Sequence, residues 1–130
     1  MAGELIMIVE DNELNLKLLR NLLDVWGYRT VEARSGEEAV RLARAERPQL
    51  VLMDIQLPGM DGVSALRELR GLPETAAVPV VAVTAFAMKD DHERFLAAGF
   101  DAYLEKPVNI HQLRSCIVSY LGVGMAGTQL

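Results

Sequence analysis

The segment Leu50-Val51-Leu52-Met53-Asp54 places a carboxylate directly after four consecutive apolar residues. A run this short and this apolar is typical of a strand that is covered on both faces, as in a parallel sheet. Two further runs have the same character, Leu5–Val9 and Val78–Val83. Weaker strand candidates lie at Tyr28–Ala33 and Ala102–Leu104. The sequence therefore predicts five short strands.

Apolar residues at helical spacing follow each predicted strand, and we expect them to face the core. In chain order they are Leu14, Leu18, Leu22 and Val25; Ala39, Leu42 and Ala43; Val63, Leu66 and Leu69; Phe95 and Leu96; and Ile110, Leu113, Ile117 and Leu121. Strands that alternate with helices in this way predict an α/β fold, a doubly wound (βα)5 parallel sheet with helices on both faces. We expect one domain over residues 1–121 and a flexible, glycine-rich tail over residues 122–130.

Composition excludes several classes of function. The chain has 130 residues, and its 18 acidic and 13 basic side chains give a net charge of −5. That balance argues against a nucleic-acid-binding face and against a polybasic membrane patch. One cysteine rules out an intrachain disulfide, and the segment Met1–Glu4 lacks the basic region of a signal peptide. We therefore expect a cytoplasmic protein.

Polar side chains follow four of the five predicted strands. They are Glu10 and Asp11 after the first strand, Asp54 after the third, Thr84 after the fourth, and Lys106 with Pro107 after the fifth. Ligands of doubly wound sheets bind at the carboxyl ends of the strands. Because neighbouring strands lie ~4.8 Å apart, we expect these side chains to converge in one pocket.

The expected chemistry of this pocket is phosphoryl transfer. Three carboxylates in one place repel one another, and a magnesium ion, which prefers hard oxygen ligands, relieves the repulsion and leaves room for a phosphate. A carboxylate such as Asp54 can attack phosphorus to form an acyl phosphate. The Lys106 ammonium and the Thr84 hydroxyl would then neutralise phosphoryl oxygens.

Five separated motifs, in order along the chain, resemble the receiver domain of two-component response regulators, the CheY-like superfamily. They are Val9-Glu10-Asp11-Asn12, Leu52-Met53-Asp54, Pro58-Gly59-Met60-Asp61-Gly62, Val83-Thr84-Ala85 and Lys106-Pro107. The resemblance extends from about Leu5 to Leu121 and implies the flavodoxin-like receiver fold. It also implies a bacterial signalling switch that catalyses only its own phosphorylation and slow dephosphorylation, and is not otherwise an enzyme.

The resemblance assigns roles to individual residues. Asp54 would accept a phosphoryl group from a histidine kinase or a histidine phosphotransfer protein. Asp11, Asp54 and the backbone carbonyl of Gln56 would bind Mg2+, with Glu10 contributing through water. Lys106 and Thr84 would assist the transfer, and the Lys106–Pro107 peptide would be cis.

The resemblance also suggests how phosphorylation would be transmitted. Thr84 would move toward the phosphate and allow Tyr103 to turn inward, which would reshape a protein-binding surface. Phe86 at the rim would affect hydrolysis of the phosphate. Asn15 and Leu16, at the start of the first predicted helix, are the candidate docking residues for the phosphodonor. His92 and His111 are interpreted as solvated helix residues without a role.

Alternatives concern the context and the reaction. Segments Val9–Asn15, Asp54–Pro58 and Val80–Lys89 resemble single-domain regulators of the DivK type, but receivers of hybrid histidine kinases are also similar. We expect a downstream protein partner such as a kinase, no nucleic acid or membrane partner, and a monomer or a weak phosphorylation-dependent dimer.

An aspartate-nucleophile phosphatase is disfavoured because Gln56 stands where a second aspartate is needed. A flavin carrier is disfavoured because, without a metal, Glu10–Glu13 would repel a phosphate.

Overall fold

The computed structural model describes residues 3–85 and 89–122, which form one parallel sheet with helices on both faces. Along the chain the elements are β1 Leu5–Val9, α1 Glu13–Val25, β2 Arg29–Ala33, α2 Gly36–Glu46, β3 Leu50–Asp54, α3 Gly62–Arg70, β4 Val80–Thr84, α4 Lys89–Ala98, β5 Ala102–Glu105 and α5 Ile110–Leu121. The predicted α/β fold class is therefore confirmed. The tail expected over residues 122–130 lies outside the described residues, apart from Gly122, which caps α5.

The strand order β2-β1-β3-β4-β5 puts β1 and β3 side by side near the middle of the sheet. Their pairing aligns Val9 with Met53, so the two strands end at the same level. In the next pair, Asp54 is aligned with Val83. Because the chain order reverses between β1 and β3, the switch point of the sheet lies above these two strands, where doubly wound folds bind ligands.

The two faces of the sheet carry separate cores. Alternate residues of β3 show this, since Val51 and Met53 pack with α2, α3 and α4, whereas Leu50 and Leu52 pack with α1 and α5. All four side chains are at most 1% exposed. Burying one such side chain is worth roughly 1.5–3 kcal/mol, so the continuous apolar run of β3 follows from its position between two helix layers.

Polar caps define where four of the helices begin. At each of these starts, the capping side chain accepts a hydrogen bond from a backbone N–H three residues along the chain. The capping residues are Asn12, Ser35, Asp61 and Asn109, for α1, α2, α3 and α5. Each cap satisfies an N–H group that has no partner inside the helix and is typically worth ~1 kcal/mol. The caps fix the first turn of α1 and of α3 at the two central strand ends.

The inward face of α1 differs from the predicted one. We expected Leu14, Leu18, Leu22 and Val25 to face the core, but Leu14 is 76%, Leu18 52% and Val25 74% exposed. The buried residues of α1 are Leu16, Leu19 and Leu23. The helix carries two apolar stripes at helical spacing, so periodicity could not decide which of them faces the sheet.

Two further residues expected in the core are about half exposed, Leu96 at 47% and Ile110 at 50%. None of the helices within residues 3–85 and 89–122 is both long and apolar enough to cross a lipid bilayer.

Candidate functional site

Three carboxylates meet above the central strands. Asp54 is the last residue of β3, and Glu10 and Asp11 directly follow β1. Oxygen atoms of the three side chains all lie within 4.8 Å of one another. Glu10 is 2% and Asp54 5% exposed, while Asp11 faces solvent. The cluster is therefore closed at its base and open at its outer side.

Lys106 inserts its ammonium group between two of these carboxylates. Its Nζ lies 2.9 Å from Glu10 Oε1 and 3.0 Å from Asp54 Oδ2. The residue follows β5, and its backbone N–H donates to the carbonyl of Thr84 at 2.8 Å. The Lys106–Pro107 peptide is cis, as the family resemblance implied. The end of β5 thus delivers a cation to the base of the acidic cluster.

The remaining oxygens of the two buried carboxylates accept backbone hydrogen bonds. Asn12 N–H donates to Glu10 Oε2, and Gln56 N–H donates to Asp54 Oδ1, both at 3.1 Å. Gly62, the first residue of α3, allows the start of α3 to lie against the end of β3, since a Cβ there would be only 2.6 Å from the Asp54 carbonyl oxygen. Both carboxylates are therefore oriented by the backbone around them.

Burial and pairing act in opposite directions on the acid–base equilibria of the site. Burial raises the pKa of Glu10, and the charge of Asp54 raises it further, against the hydrogen bond from Lys106. Burial lowers the pKa of Lys106, but hydrogen bonds to Glu10 and Asp54 outweigh this, and the pKa ends above its ordinary value. The lysine is therefore held in its charged form.

The donor set fits a hard divalent cation. Three carboxylates and one ammonium leave an excess of two negative charges when all four groups are ionised. Magnesium prefers oxygen ligands and commonly uses one or two carboxylates together with water. Gln56, whose carbonyl is the fourth expected ligand, lies two residues after Asp54. The part of the chain described by the structure therefore has the ligand types that Mg2+ binding requires.

The two residues of the expected relay occupy neighbouring strands. Thr84 ends β4 and is 1% exposed. Tyr103 on β5 is aligned with Ala82, two residues before Thr84 in β4. The Tyr103 ring is half-buried and stacks against the imidazole of His92. Their role as a switch stays a prediction.

The interpretation of His92 as a solvated residue is wrong. Only 18% of its side chain is exposed, because the ring lies between α4 and β5 in contact with Tyr103. The spacing of three residues between His92 and the buried Phe95 was the sequence signal that both share a helix face. His111, in contrast, is exposed, as expected.

One of the two docking candidates is not available at the surface. Leu16 is fully buried, because it belongs to the stripe of α1 that packs on the sheet. Asn15 is half-buried and lines a groove of about 160 Å3 beside the acidic cluster. Leu18 and Ile110 contribute apolar walls to the same groove, which reaches Glu10 and Lys106. Phe86, expected at the rim, lies outside the described residues.

Known proteins are similar to this chain in sequence and in fold. The family model of the response regulator receiver domain matches residues 6–118. The polar-differentiation response regulator DivK of Brucella anthropi is 50% identical over 117 residues, which cover 90% of this chain and 95% of that protein. The DivK protein of Brucella ovis matches to the same extent. These relatives are bacterial.

Among solved structures, the receiver domain of a sensor histidine kinase from Pseudomonas aeruginosa has a TM-score of 0.86 at 39% identity. The match covers 93% of this chain and 99% of that domain, which is described with a magnesium ion coordinated in its active site cleft. A receiver domain of a Syntrophus aciditrophicus histidine kinase has a TM-score of 0.84 at 34% identity, covering 92% and 90% of the two chains. With the family model matched over most of its length, the chain belongs to the response regulator receiver domain family.

Proposed function

We propose that this receiver domain is a phosphorylation-controlled switch in a two-component phosphorelay, with Asp54 as the phosphoacceptor. The observation that carries the proposal is the setting of Asp54. Its carboxylate ends a central strand, is 5% exposed, and contacts the Lys106 ammonium at 3.0 Å within a cluster of three carboxylates. A histidine kinase or a histidine phosphotransfer protein would be the donor, and the protein would act in the cytoplasm.

In the proposed reaction, an Asp54 carboxylate oxygen attacks the phosphorus of the donor. The new O–P bond forms as the bond from phosphorus to the leaving group of the donor breaks, and the leaving group departs with the electron pair. Lys106 is held charged at the base of the site, where it can neutralise a phosphoryl oxygen. The Thr84 hydroxyl, at the neighbouring strand end, would donate a hydrogen bond to another phosphoryl oxygen.

Glu10, Asp11, Asp54 and the backbone carbonyl of Gln56 would hold Mg2+, directly or through water. When bound, the ion supplies positive charge that offsets both the carboxylates and the incoming phosphoryl oxygens. The protein itself positions the reacting groups. Hydrogen bonds from the backbone N–H groups of Asn12 and Gln56 keep the carboxylates of Glu10 and Asp54 oriented before the donor binds.

The output of the switch would be a change of surface. Phosphate on Asp54 would draw Thr84 toward it, and Tyr103 would turn into the space that Thr84 leaves. Such a change is a shift of population between two packings of the same fold. The altered surface around β5 would bind a downstream protein such as a kinase, with no nucleic acid or membrane partner, by a monomer or a weak phosphorylation-dependent dimer.

The donor would dock on the groove between α1 and the start of α5. This groove reaches Glu10 and Lys106, and its apolar residues Leu18 and Ile110 are half exposed. Asn15 remains a docking candidate, while Leu18 replaces the buried Leu16. A free-standing regulator is favoured by the 50% identity to DivK proteins, and the receiver domain of a hybrid kinase is the alternative.

Intact-mass spectrometry with Mg2+ and a small acyl-phosphate donor tests the proposal. We expect a phosphoryl adduct on the wild-type chain, none on Asp54→Asn, and a normal adduct on Asp24→Asn, an exposed aspartate in α1. An adduct that persists in Asp54→Asn would contradict the role of Asp54. Absence of an adduct in the wild type, even with a phosphorylated histidine protein as donor, would contradict the function.

A further inference from the structure

The imidazole of His92 packs face to face on the ring of Tyr103. The ring centroids are 3.8 Å apart and the planes are inclined by 26°. His92 belongs to α4 and Tyr103 to β5, so the stack joins a helix to the last strand of the sheet. Stacked aromatic rings attract one another beyond the area that they bury. The contact therefore favours the position of Tyr103 in which the two rings touch.

The imidazole also lies near a second residue of β5. His92 Nε2 is 3.7 Å from Glu105 Oε1, which is too long for a hydrogen bond. Nε2 is buried and makes no hydrogen bond within residues 3–85 and 89–122. Tyr103 and Glu105 are two residues apart and so lie on one face of β5. His92 thus contacts the same face of the strand at two points.

We propose that His92 is a positioning residue that holds Tyr103 beside α4 and thereby sets how readily the phosphorylated state is reached. The inference rests on the proposed function, since it assigns a determinant to the Thr84–Tyr103 relay. In the proposed switched packing, the Tyr103 ring turns inward and leaves the imidazole. Loss of the stack is therefore a cost that opposes the switched packing.

The free energy lost when the two rings separate affects the affinity of any ligand that favours the switched packing. A ligand that favours the switched packing binds more tightly when that packing is more populated in the free protein. Stacked pairs of this kind are worth enough to change a population about 2- to 10-fold. Removing the imidazole should increase affinity for a phosphoryl mimic by the same factor, because less free energy is then spent on releasing Tyr103.

The test is equilibrium binding of beryllium trifluoride, a phosphoryl mimic, in the presence of Mg2+, followed by the fluorine NMR signal of the bound mimic. We expect His92→Leu to bind about 2- to 10-fold more tightly than the wild type. His92→Phe retains a planar ring and should restore wild-type affinity. In a Tyr103→Leu background, His92→Leu should have no effect, since the residue acts through Tyr103. Circular dichroism verifies that each variant is folded.

The outcomes separate the two proposals. If the wild type shows no binding that depends on Asp54, the proposed function fails and the inference fails with it. If the wild type binds but His92→Leu has the same affinity, only the role of His92 is overturned. The same conclusion follows if His92→Phe behaves like His92→Leu, or if the effect of His92→Leu persists without Tyr103.

Discussion

At the scale of single residues, Lys106 matters for both the stability of the fold and the proposed reaction. Its ammonium lies within 3.0 Å of both Glu10 and Asp54, which are two of the most buried charged groups in the described chain. Without that cation, two like charges would remain at the base of the site. The lysine is therefore expected to support the folded state as well as the proposed reaction.

Replacing Lys106 by methionine should lower the free energy of unfolding by about 1–3 kcal/mol in the absence of divalent ions. Methionine keeps the apolar stem, so the loss reports mainly the missing charge. The estimate lies below that for a fully buried pair because the Lys106 side chain is 22% exposed. Urea unfolding measures it, with Lys17→Met, an exposed lysine of α1, as the control that should stay within ~0.5 kcal/mol. Equal stability of wild type and Lys106→Met would refute this expectation.

At the scale of elements, α1 is a helix with two apolar faces, one that packs in the core and one that we propose for docking. Leu16 and its neighbours on one stripe pack on the sheet, while Leu14, Leu18 and Val25 on the other are exposed. A cluster of exposed apolar side chains next to a functional site commonly marks a binding face. The groove between α1 and α5 makes Leu18 the member of that face nearest the site.

Two alanine substitutions separate core packing from docking. Leu16→Ala should destabilise the protein by ~2–5 kcal/mol because it leaves a cavity in the core. Leu18→Ala should change stability by less than ~1 kcal/mol but slow phosphoryl transfer from a protein donor about fivefold. Transfer from a small acyl phosphate should be unaffected. Val25→Ala, at the far end of α1, is the matched control, and slowing by that variant to the same extent would argue against docking at the groove.

At the scale of the whole molecule, the acidic cluster concentrates negative charge that a bound cation would offset. The three carboxylates belong to two segments, with Glu10 and Asp11 after β1 and Asp54 at the end of β3, and the pairing of β1 with β3 brings them together. A cation that binds there binds the folded chain and not the unfolded one. Its binding free energy therefore adds to the stability of the entire domain.

Magnesium at about ten times its dissociation constant should stabilise the fold by about 1.4 kcal/mol and raise the melting temperature by about 5 °C. Calorimetry with and without the ion measures the shift. Asp11→Asn should abolish it, whereas Glu46→Gln, an exposed acid on α2, should not. Since burial raises the pKa of Glu10, protons compete with the cation, and the shift should shrink as the pH falls. An equal shift in Asp11→Asn would mean that the ion binds elsewhere.

The sequence alone determined the architecture and the set of polar strand ends. Short apolar runs such as Leu50–Met53 are local patterns, and their alternation with helices leaves few arrangements other than a doubly wound sheet. In a parallel sheet the carboxyl ends of all strands lie at one edge, so the sequence predicted that Glu10, Asp54 and Lys106 share that edge. Both inferences needed only chain order and the geometry of strands.

The tertiary structure decided which surfaces those elements present. Periodicity marks an apolar stripe but does not choose between two of them, so the burial of Leu16 and the exposure of Leu18 depended on how α1 lies against the sheet. The contact of His92 with Tyr103 depended on how α4 packs beside β5. The apolar pattern of the sequence gives no information about that packing. Such contacts are set by the packing of whole elements, because their energies arise only after the sheet and its helices have assembled.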